Sequence, residues 1–212
     1  MKKYIDFKTI QINVLGKIKK ISYEPNRSGY ISEVLYQNGL KKYHLHTYGL
    51  KIGSYIIASP TAPLTKGNTL PLKNIPLGTN VYNIEPIPGK GSKFARAAGT
   101  SALLVSKSKL WVTLRLPSGE IRLFSENCWA TIGQVSNIKK KKKIKAGNSR
   151  WLGIRPKVRG SAKNPVDHPH GGGEGKAPIG KSHPVNPWGK PAIGRCTRRI
   201  KKYSDSLIIR RK

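Results

Sequence analysis

Acidic residues are scarce in this chain: 9 Asp and Glu stand against 41 Lys and Arg among 212 residues, a formal net charge of +32. A free globular protein with that imbalance repels itself and adheres to polyanions. The shortage of acid argues for a polyphosphate partner that neutralises the surplus. Cysteine is nearly missing as well. Cys128 and Cys196 lie 68 residues apart with no CxxC pair, which excludes a disulfide framework or a zinc pattern and fits a reducing compartment. There is no long apolar run and no basic amphipathic helix with an aromatic face, so an anionic membrane is a poor candidate partner. Helical periodicity is also rare, residues 94–102 being its best short instance.

The positive charge is unevenly placed. Residues 1–75 hold 12 basic and 3 acidic residues, residues 76–138 hold 7 and 3, and residues 139–212 hold 22 and 3. More than half of the net charge therefore falls in the last third, mixed with Trp, His and Gly. A Lys run such as 139–143 is by itself as consistent with a solvated face as with a ligand surface. Spread over such a length with aromatics between, the charge favours nucleic acid.

The first 138 residues read as short strands between turns. Runs 30–36 and 40–46 flank Asn38-Gly39, a dipeptide that supplies the positive φ angles of a tight hairpin. Ile10, Ile12 and Val14 alternate before Gly16, and 55–58 is another β-rich run. Pro60, Pro63, Gly67, Pro71, Pro76 and Gly78 then punctuate an irregular connection. Further strand candidates are 81–84, 103–105, 110–116, 121–124 and 130–135. Within 110–116, Leu110, Val112, Leu114 and Leu116 alternate with Trp111, Thr113 and Arg115, the period of a half-buried strand. Two small β-barrels in tandem, residues 1–76 and 77–138, are expected. Residues 139–212 are rich in Pro and Gly and poor in apolar runs, so they cannot bury enough surface to offset their ordering entropy alone. They are expected to be extended and ordered by a partner.

Several catalytic patterns fail. Gly89-Lys90 completes a phosphate loop only with glycine at position 84, where Ile84 stands. Gly89 and Gly91 begin a dinucleotide fingerprint whose third glycine is replaced by Phe94. These glycines fit close approach of backbone to phosphate beside Lys90, Lys93 and Arg96. His168 and His170, with Asp167 and Glu174, suggest a metal or acid–base site. Pro169 stiffens the gap, and no nucleophile elbow accompanies them. A rigid glycine turn, or a loop fitting its backbone and imidazoles against RNA, accounts for the same residues. Trp151 and Trp188 lie in the basic tail, where they can cover base faces or close a local cluster. Trp111 and Trp129 fall in the second barrel. Arg27 sits in a loop of the first barrel, within Asn26-Arg27-Ser28.

The runs YEPNRSGYISEVLY (23–36), PGKGSKFARAAGTSA (88–102), VTLRLPSGE (112–120), RWLGIRPKVRGSAKNPVDHPHGGGEGK (150–176) and HPVNPWG (183–189) carry a resemblance. With the ending TRR…IIRRK (197–212), they make the chain similar, over nearly its whole length and in order, to large-subunit ribosomal protein two in its bacterial and organellar form. NPVDHPHGGGEG (164–175) is the most specific of them. The resemblance implies an all-β protein, an OB-fold barrel followed by an SH3-like barrel, with an extended basic C-terminal tail. It implies a structural constituent of the large ribosomal subunit that supports assembly, subunit association and the peptidyl transferase centre.

The chemistry would then belong to RNA, so the protein is expected to be no enzyme. No cofactor is expected beyond Mg2+ held by the RNA. The expected partners are large-subunit ribosomal RNA, neighbouring ribosomal proteins and, across the interface, the small subunit, with no membrane. The histidine that the family links to peptidyl transfer falls on His168, beside Asp167. RNA contact falls on Arg27, Lys90, Lys93, Arg96, Arg150, Trp151, Arg155 and Arg159. In the 164–175 loop it falls on Asn164, His168, His170, Gly171, Gly172 and Gly173. Beyond the loop it falls on Lys176, Lys181, His183, Trp188, Arg195, Arg198, Arg199, Arg210 and Arg211.

The chain also departs from the family. Bacterial members begin with a basic arm that this chain lacks. Lys163 stands where an apolar residue is usual, and Trp129 where Arg is common. The start MKKYIDFKTIQINV has neither the apolar core of a signal peptide nor the Arg-rich character of a transit peptide. With Ile outnumbering Val 22 to 9 and Lys outnumbering Arg 29 to 12, this suggests a mitochondrially encoded copy, with plastid or bacterial origin second. On the residues alone, two other readings stay open. One is a metal-dependent nuclease using His168, His170 and Glu174; the other is a free single-strand-binding module using the first barrel.

Overall fold

Runs of β-branched and aromatic residues cut by Gly and Pro fold into strands, as their composition requires. The computed structural model describes residues 5–7, 11–139, 143–175, 177–194, 196–199 and 201–211. These residues form eleven strands, one five-residue helix and three 3-10 turns, an all-β protein.

Strands β1 (Gly16–Ser22), β2 (Ile31–Tyr36), β3 (Lys41–Leu45) and β4 (Tyr55–Ile56) form an antiparallel sheet in the order β3-β2-β1-β4. Ile18, Val34 and Tyr36 are its buried centre, with Val14, Ile21, Leu50 and Ile56 packed around them. Full burial of one such aliphatic side chain stabilises by about 1.5–3 kcal/mol. Gly16 opens β1 because a Cβ there would stand 2.5 Å from Val34 Cγ1, so only glycine lets the strands close. The β2–β3 hairpin turns at Asn38-Gly39 as expected, but Gly39 alone takes positive φ, +80°. Asn38 instead accepts the Leu40 N–H through Oδ1 at 3.3 Å.

Strands β5 (Thr69–Pro71), β6 (Asn80–Tyr82), β7 (Ala102–Lys107), β8 (Trp111–Arg115), β9 (Ile121–Ser125), β10 (Trp129–Ile132) and β11 (Ile208–Arg210) form a second antiparallel sheet, ordered β11-β9-β8-β7-β6-β10-β5. Its core includes Leu72, Ile75, Ile84, Leu104, Val112, Leu114, Phe124 and Cys128. The alternation in 110–116 holds for Val112, Leu114 and Leu116, whereas Leu110 lies outside the strand and is exposed.

The two sheets are tied together within one compact unit. Leu45, Tyr82 and Val135 form a shared apolar cluster. Thr47 Oγ1 meets the Tyr82 hydroxyl at 2.6 Å, and burial pushes that phenol up to about 12. Asn137 Nδ2 donates to Ser28 O at 2.8 Å, and Ser136 N–H donates to His46 O at 2.9 Å.

Several expectations differ from this fold. The first strand begins at Gly16; Ile12 makes only an isolated bridge to Ala58, and Ile10 lies outside the described residues. Residues 94–102 are not helical: Ala95 takes φ +50°, and Ala102 already begins β7. Thr69–Pro71, within the stretch assigned to the first barrel, pairs instead with β10 of the second sheet. Residues 203–212, within the expected tail, return to the barrel unit, where β11 pairs with β9. The chain thus divides into residues 1–140 with 203–212, and a second unit, 141–202, whose one α-helix, α1 (Gly147–Trp151), was not expected.

Candidate nucleic-acid interface

Phe7 is the centre of the basic cluster in the barrel unit. The Arg96 guanidinium carbon lies 4.3 Å from its ring centre and that of Arg27 lies 5.4 Å away. Arg27 is carried on a turn in which its N–H donates to Glu24 O at 3.3 Å. Glu24 is only 3% exposed, and its Oε1 accepts Asn26 Nδ2 at 3.0 Å. Burial lowers the pKa of Arg27 below its ordinary value; Glu24 opposes that shift and Arg96 adds to it. Among the described residues Arg27 Nε is buried without an acceptor, while Arg96 Nη1 donates to Ser92 O at 3.2 Å. Two guanidiniums held against one ring present planar forks of donors, a geometry suited to phosphate oxygens.

The loop bearing Lys90, Lys93 and Arg96 is braced from below by a second buried acid. Glu85 is 2% exposed, and its Oε2 accepts the N–H of Gly89 at 3.3 Å and of Trp129 at 3.2 Å. Ser92 donates its N–H to Phe7 O at 2.8 Å and its hydroxyl to Asn83 Oδ1 at 2.7 Å, locking the loop to the N-terminal segment. Lys90 and Lys93 remain exposed. Two of the nine acids are thus buried under the two basic loops, where they shape backbone without facing a polyanion.

In the second unit, the loop 164–175 is organised by its own histidines. His170 is buried, and its Nε2 accepts the Val185 N–H at 2.7 Å. His168 Nδ1 accepts the His170 N–H at 3.0 Å, and the two rings lie 5.1 Å apart. Partial burial lowers the pKa of His168, with His170 and Lys163 adding to the shift. Its ring covers Gly160, where a Cβ would come within 2.6 Å of Nδ1. Gly171 passes so close to the Asn164 carbonyl that no side chain fits, and its N–H donates to His168 O at 2.8 Å. Gly172 at φ +92° donates to Lys163 O at 3.1 Å. With both imidazoles accepting backbone N–H groups, the pair is a brace for the loop. Among the described residues, no group of three His, Cys, Asp or Glu could hold a metal. Asp167 and Glu174 are exposed.

Elsewhere in that unit, Trp151 is 74% exposed with Lys145 Nζ 4.7 Å from its ring centre. Trp188 is 80% exposed on a turn where Asn186 Oδ1 accepts its N–H at 3.1 Å. Arg150, Arg155, Arg159, Asn164, Lys181, His183 and Arg199 are exposed, and Arg198 is half-buried. Lys176 and Arg195 lie outside the described residues. In the barrel unit, Arg210 is exposed on β11 and Arg211 pairs with Asp205 at 3.3 Å. Sequence reasoning missed Phe7, Glu24, Glu85 and Lys145. Only the rarity of acid marked Glu24 and Glu85, since burial of either is a tertiary property.

Comparison with known proteins decides the family. Residues 1–58 match the family model "Ribosomal Proteins L2, RNA binding N-terminal domain", and residues 65–189 match "Ribosomal Proteins L2, C-terminal domain". The chain belongs to the ribosomal protein L2 family. It is 54% identical over 210 residues to "Large ribosomal subunit protein uL2c" of Huperzia lucidula, an alignment covering 98% of this chain and 76% of the relative. The L2 domains are consistent with the expected pair of folds, an OB-fold barrel and an SH3-like barrel. L2 is a family of ribosomal structural proteins and not a known enzyme family.

Proposed function

We propose that the chain is a structural constituent of the large ribosomal subunit and binds its ribosomal RNA through basic loops on a rigid β scaffold. The observation that carries this is the cluster around Phe7, where Arg27 and Arg96 are fixed in place and Arg27 Nε has no acceptor among the described residues. Family membership supports the same reading. The protein's part is to position RNA, and peptide-bond chemistry is left to the RNA and its Mg2+. The expected contacts of the second unit, on Arg150, Trp151, Arg155, Arg159, Lys181, His183 and Trp188, belong to this proposal. So does a place for Asp167, His168 and the 164–175 loop near the peptidyl transferase centre, with roles in subunit association. The relative's uL2c designation, the plastid form, supports a plastid ribosome over the mitochondrial one expected from composition.

A large-subunit RNA fragment titrated against salt tests the reading. Replacing both Arg27 and Arg96 by Gln should weaken binding and lower the log–log salt slope, since each phosphate contact contributes roughly 0.7–0.9. An unchanged slope would remove these arginines from the interface. Salt-resistant sedimentation with the large subunit separates the ribosomal role from a free single-strand binder. RNA turnover abolished by EDTA would instead support a nuclease.

A further inference from the structure

Arg122 on β9 repeats the arrangement of Arg27 at a position that no motif marks. It is 8% exposed and shares the core-facing side of β9 with Phe124. Its guanidinium carbon lies 5.0 Å from the ring centre of Phe94 and 5.7 Å from that of Phe124, two rings that meet edge to face. Nε is buried without an acceptor, and among the described residues no hydrogen bond or ion pair reaches the guanidinium. Aromatic faces attract the cation but accept nothing from its in-plane N–H groups. The two Nη groups are not among the buried unpaired atoms, so they reach the surface with no acceptor among the described residues and can take one from a ligand. In a chain with only nine acids, the supply comes from outside.

We infer that Arg122 is a phosphate-binding residue, its outer Nη edge receiving a backbone phosphate of the RNA. Phe94, on which Arg122 stacks, belongs to the same loop as Lys90, Lys93 and Arg96, which sets Arg122 beside residues already assigned to RNA. The stacked rings fix the plane of the guanidinium and so pre-orient a two-oxygen contact, which a lysine cannot reproduce. This rests on the RNA-binding reading and adds to it a contact at the outer edge of a side chain anchored in the second sheet.

The test uses the full chain and a large-subunit RNA fragment, with melting measured alongside. Arg122→Met keeps the packed stem over both rings and removes the unpaired cation. The expected result is an unchanged or raised Tm, about tenfold weaker RNA binding, and a salt slope smaller by roughly 0.7–0.9, one phosphate contact. Wild-type affinity and slope in this variant would overturn the inference and leave Arg122 as a packing plug. Arg122→Lys serves as the second variant if the first does not fold: weaker binding with the slope retained is expected, and wild-type affinity overturns the proposal. Failure of the wild-type chain to bind the fragment would overturn the RNA reading itself, and Arg122 with it.

Discussion

Val185 donates its backbone N–H to His170 Nε2 across 2.7 Å in a buried bond that closes the chain on itself over 15 residues. The acceptor role requires the proton of His170 to sit on Nδ1, so the ring is held as one neutral tautomer. Removing the acceptor leaves a buried N–H unsatisfied, which costs about 1–3 kcal/mol. His170→Ala should therefore open the 164–185 segment, seen as faster amide exchange at Val185 and faster proteolysis. His168→Ala leaves that bond in place. The expected outcome is near-normal incorporation into the subunit with impaired subunit joining or peptide-bond formation. Loss of incorporation would recast the loop as an assembly anchor.

The glycine run is a steric requirement at one position above all. A Cβ on Gly171 would collide with the Asn164 carbonyl and stand 2.7 Å from Lys163 O. Both obstacles are backbone, so neither can rotate away. Gly171→Ala should displace the loop and lower RNA affinity, whereas Gly175→Asn should be tolerated. Gly175 also has φ +60°, but nothing lies within 4 Å of a Cβ there, and Asn accepts that conformation. Equal loss in the two variants, read by RNA binding, would contradict this assignment.

Particular residues show what the sequence made legible. The Asn38-Gly39 hairpin and the alternation through Val112 and Leu114 are local patterns, and both reappear as strands. β1 was missed because GKIKKIS carries one apolar residue per three, and its burial depends on β2 on one side and β4 on the other. β5 was hidden by Pro71, which is tolerated because β5 is an edge strand. The basic residues of the candidate interface were readable from charge and motif. Phe7, Glu24 and Glu85 were not, because the contacts that define them span up to 89 positions of chain, from Phe7 to Arg96.

Acid should weaken the first sheet through its buried histidines. Burial pushes His44 down from 6.5 to about 4, and burial also lowers His46, whose Nδ1 meets Ser32 Oγ at 2.8 Å. The folded state thus binds fewer protons than the unfolded chain below 6.5, so stability is present above that pH and is lost as pH falls toward 4. For His44 the full span corresponds to at most roughly 3 kcal/mol. Tm should drop between pH 6.5 and 5, and His44→Gln should flatten the drop. A level Tm over that interval in the wild type would show that these histidines are protonated in the fold at no cost.

Glu85 offers the sharpest separation of scaffold from contact, since its single oxygen Oε2 serves both Gly89 and Trp129. Hydrogen bonds to a charged acceptor contribute about 1.5–3 kcal/mol each. Glu85→Leu abolishes both and should lower Tm markedly, freeing the loop that carries Lys90 and Lys93. Glu85→Gln keeps one carbonyl oxygen able to accept from both N–H groups, so it should retain most of the stability and nearly all of the RNA affinity. The decisive measurement is affinity at a temperature where both variants remain folded. If Glu85→Leu then binds RNA as the wild type does, the carboxylate holds the barrel together but does not shape the interface. If its affinity falls while Glu85→Gln binds normally, the buried acid is what sets the basic loop in place.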